Sequence, residues 1–211
     1  MKDTPKQKRA GEVAAILSTP IGDLRLTASL RGLSRIRFPG EGPAPGTALR
    51  EADGSPPAIR QARRHLKQAL KELKEYFSGR RTRFRVSLDL EGTAHQLRVW
   101  EALQDIPFGK TVTYGELAKR LGTPLGARAI GRGCATNPVP VIVPCHRVVA
   151  GTGGLQGFGG GLWRKRALLE MEQGQAGLAL WDVRSAEDPA RRRGGARSRL
   201  RTSSGGGRWN P

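Results

Sequence analysis

Val141-Ile142-Val143-Pro144-Cys145-His146-Arg147-Val148-Val149 is the stretch from which the rest of the chain is read. Apolar, mostly β-branched residues lead into a Pro-Cys-His step, and two valines follow. Pro144 cannot donate to a sheet ladder and holds Val143 extended. Cys145 and His146 then supply a thiol and an imidazole, the side chains with the most reactive chemistry near neutral pH. A thiol attacks as its thiolate, and at an ordinary pKa of ~8.5 it is mostly protonated at pH 7. A neighbouring base or a positive field turns it into a usable nucleophile. Adjacent side chains in an extended chain point to opposite faces, so these two need a bend or a bridging water to cooperate. Taken alone, a Cys-His pair is more often a buried structural cysteine beside a surface histidine. Its surroundings decide.

Upstream, residues 114–122 (YGELAKRLG) read as a short helix closed by Gly122, and Thr123-Pro124 supply an N-cap and a first-turn proline for a second helix over 125–136. Two short helices joined by a Gly-Thr-Pro turn make a helix-turn-helix pattern, and many helical hairpins share it. The second helix carries Arg128 and Arg132 among Gly126, Ala127, Ala129, Gly131 and Gly133. That profile suits a helix entering a narrow groove, and equally a helix packed tightly on its own core. Downstream, residues 151–161 are glycine-dense with Phe158 among them. No strand–GxxxxGK[ST]–helix arrangement surrounds them, so a phosphate loop is not expected. A pocket wall that approaches a flat ligand, with Phe158 as a lining ring, is the alternative. Leu162–Gln173 reads as a last helix, with Leu168, Leu169 and Met171 apolar and Glu172 near its end. Such an acid is ordinarily exposed.

The 211 residues are 37% apolar and 26% charged, with 29 Gly and 14 Pro, which suits one or two domains plus unstructured portions. The formal net charge of +19 argues for a polyanionic partner, of which nucleic acid is the commonest. No 18-residue apolar run exists to span a bilayer, and the charged start lacks the apolar core of a secretory signal. Cys134 and Cys145 stand eleven apart with no C-x-x-C pair or histidine cluster, so no metal site is expected and both thiols are expected reduced. Cys134 reads as a small core or helix-face residue.

The first half is simpler. Apolar runs over 13–17, 24–28 and 33–38, cut by turn residues, alternate as strands of an antiparallel meander. Residues 39–57 are loop chemistry. Residues 57–79 form an amphipathic helix, with Ile59, Ala62, Leu66, Ala69, Leu70, Leu73 and Phe77 on one face, Ser55 near its start and Gly79 as its stop. Residues 83–90 (RFRVSLDL) alternate as one more strand, and Leu97, Val99, Trp100 and Leu103 stripe a further helix. Strands plus a covering helix make an α/β N-terminal unit with no visible chemistry of its own. The division expected is a basic disordered lead over 1–10, an α/β support domain over 11–91, a mostly helical domain over 92–173 and a basic disordered tail over 174–211. The tail holds eight Arg against three acids.

Pro144-Cys145-His146-Arg147-Val148 resembles the active-site signature of the O6-alkylguanine-DNA alkyltransferases. Gln96, Val99-Trp100, Leu103, Ile106-Pro107, Gly109, Thr111, Tyr114-Gly115, Leu117-Ala118, Arg128-Ala129, Asn137-Pro138 and Gly160-Gly161-Leu162 fall in that family's order and spacing, strongly over 93–173 and weakly before it. The resemblance implies an α/β N-terminal domain of antiparallel sheet plus helix, ribonuclease-H-like, followed by a mostly α domain with a winged-helix-like helix-turn-helix. It implies irreversible transfer of an alkyl group from O6 of guanine in double-stranded DNA, and from O4-alkylthymine, to Cys145, in a single turnover with no cofactor and no metal. His146 through a water would be the base, Glu172 would orient it, Tyr114 would protonate the leaving guanine and Asn137 would tether the active-site turn. Pro140, Val148, Phe158, Gly159 and Gly160 would line the base pocket. Arg128 would fill the space of a flipped nucleotide, with Tyr114, Thr123, Ala127 and Gly131 along the minor groove. The family commonly has Tyr at 158 and Ser at 159, so Phe158 and Gly159 remove hydroxyls near the base; His95 stands where Phe is frequent. A cytoplasmic, nucleoid-associated monomer (nuclear in a eukaryote) with no membrane and no obligate protein partner is expected.

Three other functions fit these residues less well. A non-catalytic binder of alkylated DNA would lack Cys145. A helix-turn-helix regulator would need sequence-specific base reading, and this Ala/Gly-rich second helix has few side chains for it. A Cys-His hydrolase would need an oxyanion hole, and its motif is missing.

Overall fold

The computed structural model describes residues 11–40, 56–123 and 126–174. The expected lead over 1–10, most of the 39–57 loop including Ser55, Pro124 with Leu125, and the tail from 175 onward lie outside the described residues.

Strands β1 (Val13–Leu17), β2 (Leu24–Ala28) and β3 (Leu33–Arg37) form an antiparallel meander in the order β1-β2-β3. Alternation turns Leu24, Leu26 and Ala28 of β2 inward, and an irregularity in the β2–β3 register brings both Leu33 and Ile36 to the same side. Helix α1 (Pro57–Phe77) covers that side with Ala62, Leu66, Ala69, Leu73, Tyr76 and Phe77. A proline at its first position costs no hydrogen bond, because that N–H would have no partner anyway.

The strand expected over 83–90 does not form. Only an isolated bridge joins Leu88 to Leu33. The amides of Arg85 and Val86 donate to the Glu72 carboxylate at 2.7 and 3.2 Å instead of to a ladder. Asp89 is buried against the Ser29 hydroxyl and the Arg31 guanidinium, 2.8 Å away. The Glu72 carboxylate thus takes the amides of Arg85 and Val86, and strand-like pairing is confined to Ser87 O and Asp89 N against Leu33.

Helix α2 (Ala94–Gln104) opens on a capping box between Thr93 and Gln96, a device worth about 1 kcal/mol. It buries Val99, Trp100 and Leu103, and the Trp100 indole donates to Gly133 O at 2.9 Å. Leu97, expected in that stripe, is 39% exposed. At 100° per residue it lies roughly 110° round from the mean direction of the other three. Short β4 (Val112–Thr113) then pairs in parallel with β5 (Val148–Val149). Helix α3 (Tyr114–Leu121) carries a second capping box, Thr113 with Glu116, and closes on left-handed Gly122. Helix α4 (Gly126–Ala135) packs across α3 and α2, completing the helix-turn-helix with a small wing-like sheet. Helix α5 (Leu162–Gln173) ends the described chain. Among the described residues no helix is long and apolar enough to cross a membrane.

Candidate functional site

The bend demanded by Cys145 and His146 is present. Val143 is followed by a single 3-10 turn, Cys145–Arg147, before the chain enters β5. Asn137 sets up that turn from the end of α4: its amide donates to Val143 O at 2.7 Å and its carbonyl accepts from Val139 N at 3.0 Å. Between those contacts Val141 has φ of +77°, a strained conformation for a β-branched residue.

Cys145 is 5% exposed, and both cysteines are free thiols. Burial pushes the Cys145 thiol up, opposed by the Asn137 amide and by the Lys165 charge, so it rests protonated. Burial lowers the His146 imidazole despite its carboxylate partner, so the ring rests neutral. Glu172 is not an exposed helix-end acid; it is 6% exposed. Its Oε1 accepts from Tyr76 Oη at 2.6 Å, His146 Nε2 at 2.9 Å and Arg147 at 2.9 Å. Its Oε2 accepts from Arg147 Nε at 2.9 Å and Gly109 N at 3.1 Å. Burial alone would raise this carboxyl, but the His146 and Arg147 contacts outweigh it and hold Glu172 far below the usual carboxylate range. An ionised Glu172 only accepts, so Nε2 of His146 carries the proton and Nδ1 holds a lone pair. That Nδ1 is buried with no hydrogen-bond partner. A proton acceptor of this kind, on the residue that follows a neutral thiol in one 3-10 turn, can take the thiol proton through a bridging water as sulfur attacks an electrophile.

Tyr114, the first residue of α3, donates to Gln156 O at 3.1 Å, and burial pushes its phenol up to about 12. Buried Lys165 donates to the same carbonyl at 2.7 Å and reaches Tyr114 Oη at 3.5 Å. Pro140 and Val148 are buried, Phe158 is half-buried and Gly159 is exposed. Gly160 is buried against Phe38, whose ring would lie 2.6 Å from an added Cβ. On α4, Ala127 and Arg128 are exposed and Gly131 is half-buried, while Thr123 is half-buried in the turn before the helix. The two readings of the small residues on α4 divide by position. A Cβ on Gly133 would meet Val99 Cγ1 at 2.8 Å, so that glycine serves packing, whereas one on Gly131 would meet nothing within 4 Å. His95 approaches Ala129 O at 3.4 Å, joining α2 to α4.

A family model described as the 6-O-methylguanine DNA methyltransferase DNA-binding domain matches residues 94–174, and the ribonuclease-like domain of the same protein matches 13–90. The chain belongs to the 6-O-methylguanine DNA methyltransferase family. A methylated-DNA–protein-cysteine methyltransferase of Mycobacterium tuberculosis is 52% identical over 116 residues, 54% of this chain and 70% of that protein. One from Methanosarcina acetivorans is 39% identical over 158 residues, 75% of this chain and 96% of that protein. Crystallised Mycobacterium tuberculosis OGT in complex with DNA superposes with a TM-score of 0.63 and 40% identity, over 79% of this chain and 96% of that one.

Three residues of this family member escaped the sequence reading. Tyr76 sits on the apolar stripe of α1 and looks like core; its hydroxyl, which needs a partner when buried, was the available signal. Arg147 stands within the signature with no role assigned to it there; it is 5% exposed and binds both Glu172 oxygens. Lys165 lies fully buried in α5, and nothing local in the sequence announces it.

Proposed function

We propose that this protein repairs DNA by moving an alkyl group from O6 of guanine to Sγ of Cys145. Sulfur donates an electron pair to the alkyl carbon as the carbon–O6 bond breaks, and that bonding pair leaves on guanine. The thiol proton passes through a water to Nδ1 of His146, and Glu172 stabilises the imidazolium that forms. Tyr114 delivers a proton to the departing guanine, and the adjacent Lys165 ammonium makes that loss easier. Asn137 holds the turn, and Pro140, Val148, Phe158, Gly159 and Gly160 line the base pocket. O4-alkylthymine presents the same alkyl–oxygen bond and is the second substrate. The thioether has no hydrolytic route back, so each chain acts once, as a monomer.

The target atom lies inside a stacked duplex, so the nucleotide is rotated out at a cost of a few kcal/mol. Arg128 fills the space it leaves, and Tyr114, Thr123, Ala127 and Gly131 lie along the minor groove. The DNA substrate locates the protein with the chromosome, in the cytoplasm of a cell without a nucleus. The observation that carries this reading is the buried Glu172–His146 pair, which leaves Nδ1 as an acceptor on the residue after Cys145. A duplex with one O6-methylguanine, labelled in the methyl group, should transfer one label per chain, and the Cys145→Ala variant none. Label uptake by that variant at equal stoichiometry would overturn the reading.

A further inference from the structure

Arg164 has no place in the chemistry above, yet it joins three separate segments. Its Nε donates to Ile21 O at 2.8 Å, in the turn between β1 and β2, and its Nη1 donates to Gly160 O at 2.6 Å. The guanidinium lies over the Trp163 ring at 4.3 Å and the Phe38 ring at 5.2 Å. Phe38, just past β3, packs on Phe158 with centroids 5.5 Å apart and closes the space above Gly160. The next residue, Lys165, holds the other end of the same loop through Gln156 O. Consecutive residues of α5 therefore pin both ends of 156–160, a segment whose glycines give it little conformational preference of its own. Only a planar fork can donate in two directions while stacking on rings, so lysine is no substitute at 164.

We propose that Arg164 is a positioning residue: it fixes the Phe158–Gly159 wall against the N-terminal sheet and so limits the size of alkyl group that Cys145 accepts. The inference rests on the pocket reading above for its effect on substrates, and on geometry alone for its effect on the loop. Two measurements separate these. Hydrogen exchange of the Gly161 amide, which closes the loop by donating to Phe158 O at 2.9 Å, should speed up about tenfold in Arg164→Ala, and Arg164→Lys should not restore it. In single-turnover transfer at saturating duplex, Arg164→Ala should lower the maximal rate on O6-methylguanine about tenfold. The rate ratio of O6-benzylguanine to O6-methylguanine should rise at least threefold, with the half-saturating duplex concentration within twofold of the parent. Leu66→Ala, which destabilises the sheet–helix core without touching the loop, should leave that ratio unchanged. Unaltered exchange in Arg164→Ala, or an equal ratio shift in Leu66→Ala, would overturn the proposal. A parent protein that transfers nothing would instead sink the assignment of Cys145, and the exchange result would still decide whether Arg164 positions the loop.

Discussion

Tyr76 in α1 donates its phenolic proton to Oε1 of Glu172 in α5, at 2.6 Å and in full burial, across 96 residues of sequence. The helix that covers the N-terminal sheet thereby reaches the carboxylate that is hydrogen-bonded to His146 Nε2. A hydrogen bond to a charged group contributes about 1.5–3 kcal/mol. Tyr76→Phe is expected to lose about 2 kcal/mol in urea unfolding and to slow alkyl transfer several-fold, because Glu172 then has one fewer group holding it in place. Unchanged transfer with lowered stability would confine Tyr76 to a packing role.

Glu172→Gln should be far more damaging than its small change of shape suggests. It leaves the Arg147 guanidinium buried without its carboxylate, and breaking a buried pair from one side costs about 3–5 kcal/mol. In the proposed reaction it also removes the charge that stabilises the imidazolium. The expected result is a fall in urea midpoint together with a loss of at least about 100-fold in the single-turnover rate. The double variant Glu172→Gln, Arg147→Met should recover much of the stability and none of the rate.

Stability should have a plateau with two shoulders. His146 is depressed in the fold, so its contribution is complete above the ordinary histidine pKa of about 6.5 and is lost as pH falls toward the folded value. Depressed Glu172 acts in the same direction at lower pH. Cys145 and Cys134 are raised, Cys134 to about 12, so their contribution is complete below about 8.5 and is lost as pH rises. Urea midpoints should therefore be level between about pH 6.5 and 8.5 and decline on both sides. The Cys134→Ser variant should flatten the alkaline limb, and an unchanged alkaline limb in that variant would count against the assignment.

The two glycines of α4 should respond oppositely. Gly133→Ala drives a methyl into Val99 and should cost about 1–3 kcal/mol. Gly131→Ala meets open space within a helix and should stabilise by about 0.5–1 kcal/mol. Gly131→Glu should fold normally and weaken binding to undamaged duplex at least tenfold, measured by fluorescence anisotropy. Arg128→Ala should slow transfer from a paired O6-methylguanine more than from a single-stranded one, since only the duplex has a vacancy to fill.

Residue types and spacing by themselves determined the three-strand meander, the amphipathic α1, the paired short helices and the Cys-His step, because each depends on local periodicity, turn residues and capping chemistry. The strand expected over 83–90 shows the limit of that logic: its alternation was real, but the Glu72 carboxylate took the Arg85 and Val86 amides and left a single bridge at Leu33. What only the tertiary structure decided is which charges are buried together. Lys165 and Tyr76 look in sequence like ordinary surface and core residues, and without the family resemblance Glu172 reads as an exposed helix-end acid. Packing α1 and α5 around the Cys145–Arg147 turn removes them from water, and a buried polar group must then find a partner far away in the chain. That requirement leaves one nitrogen of His146 free, and no local pattern in the sequence encodes it.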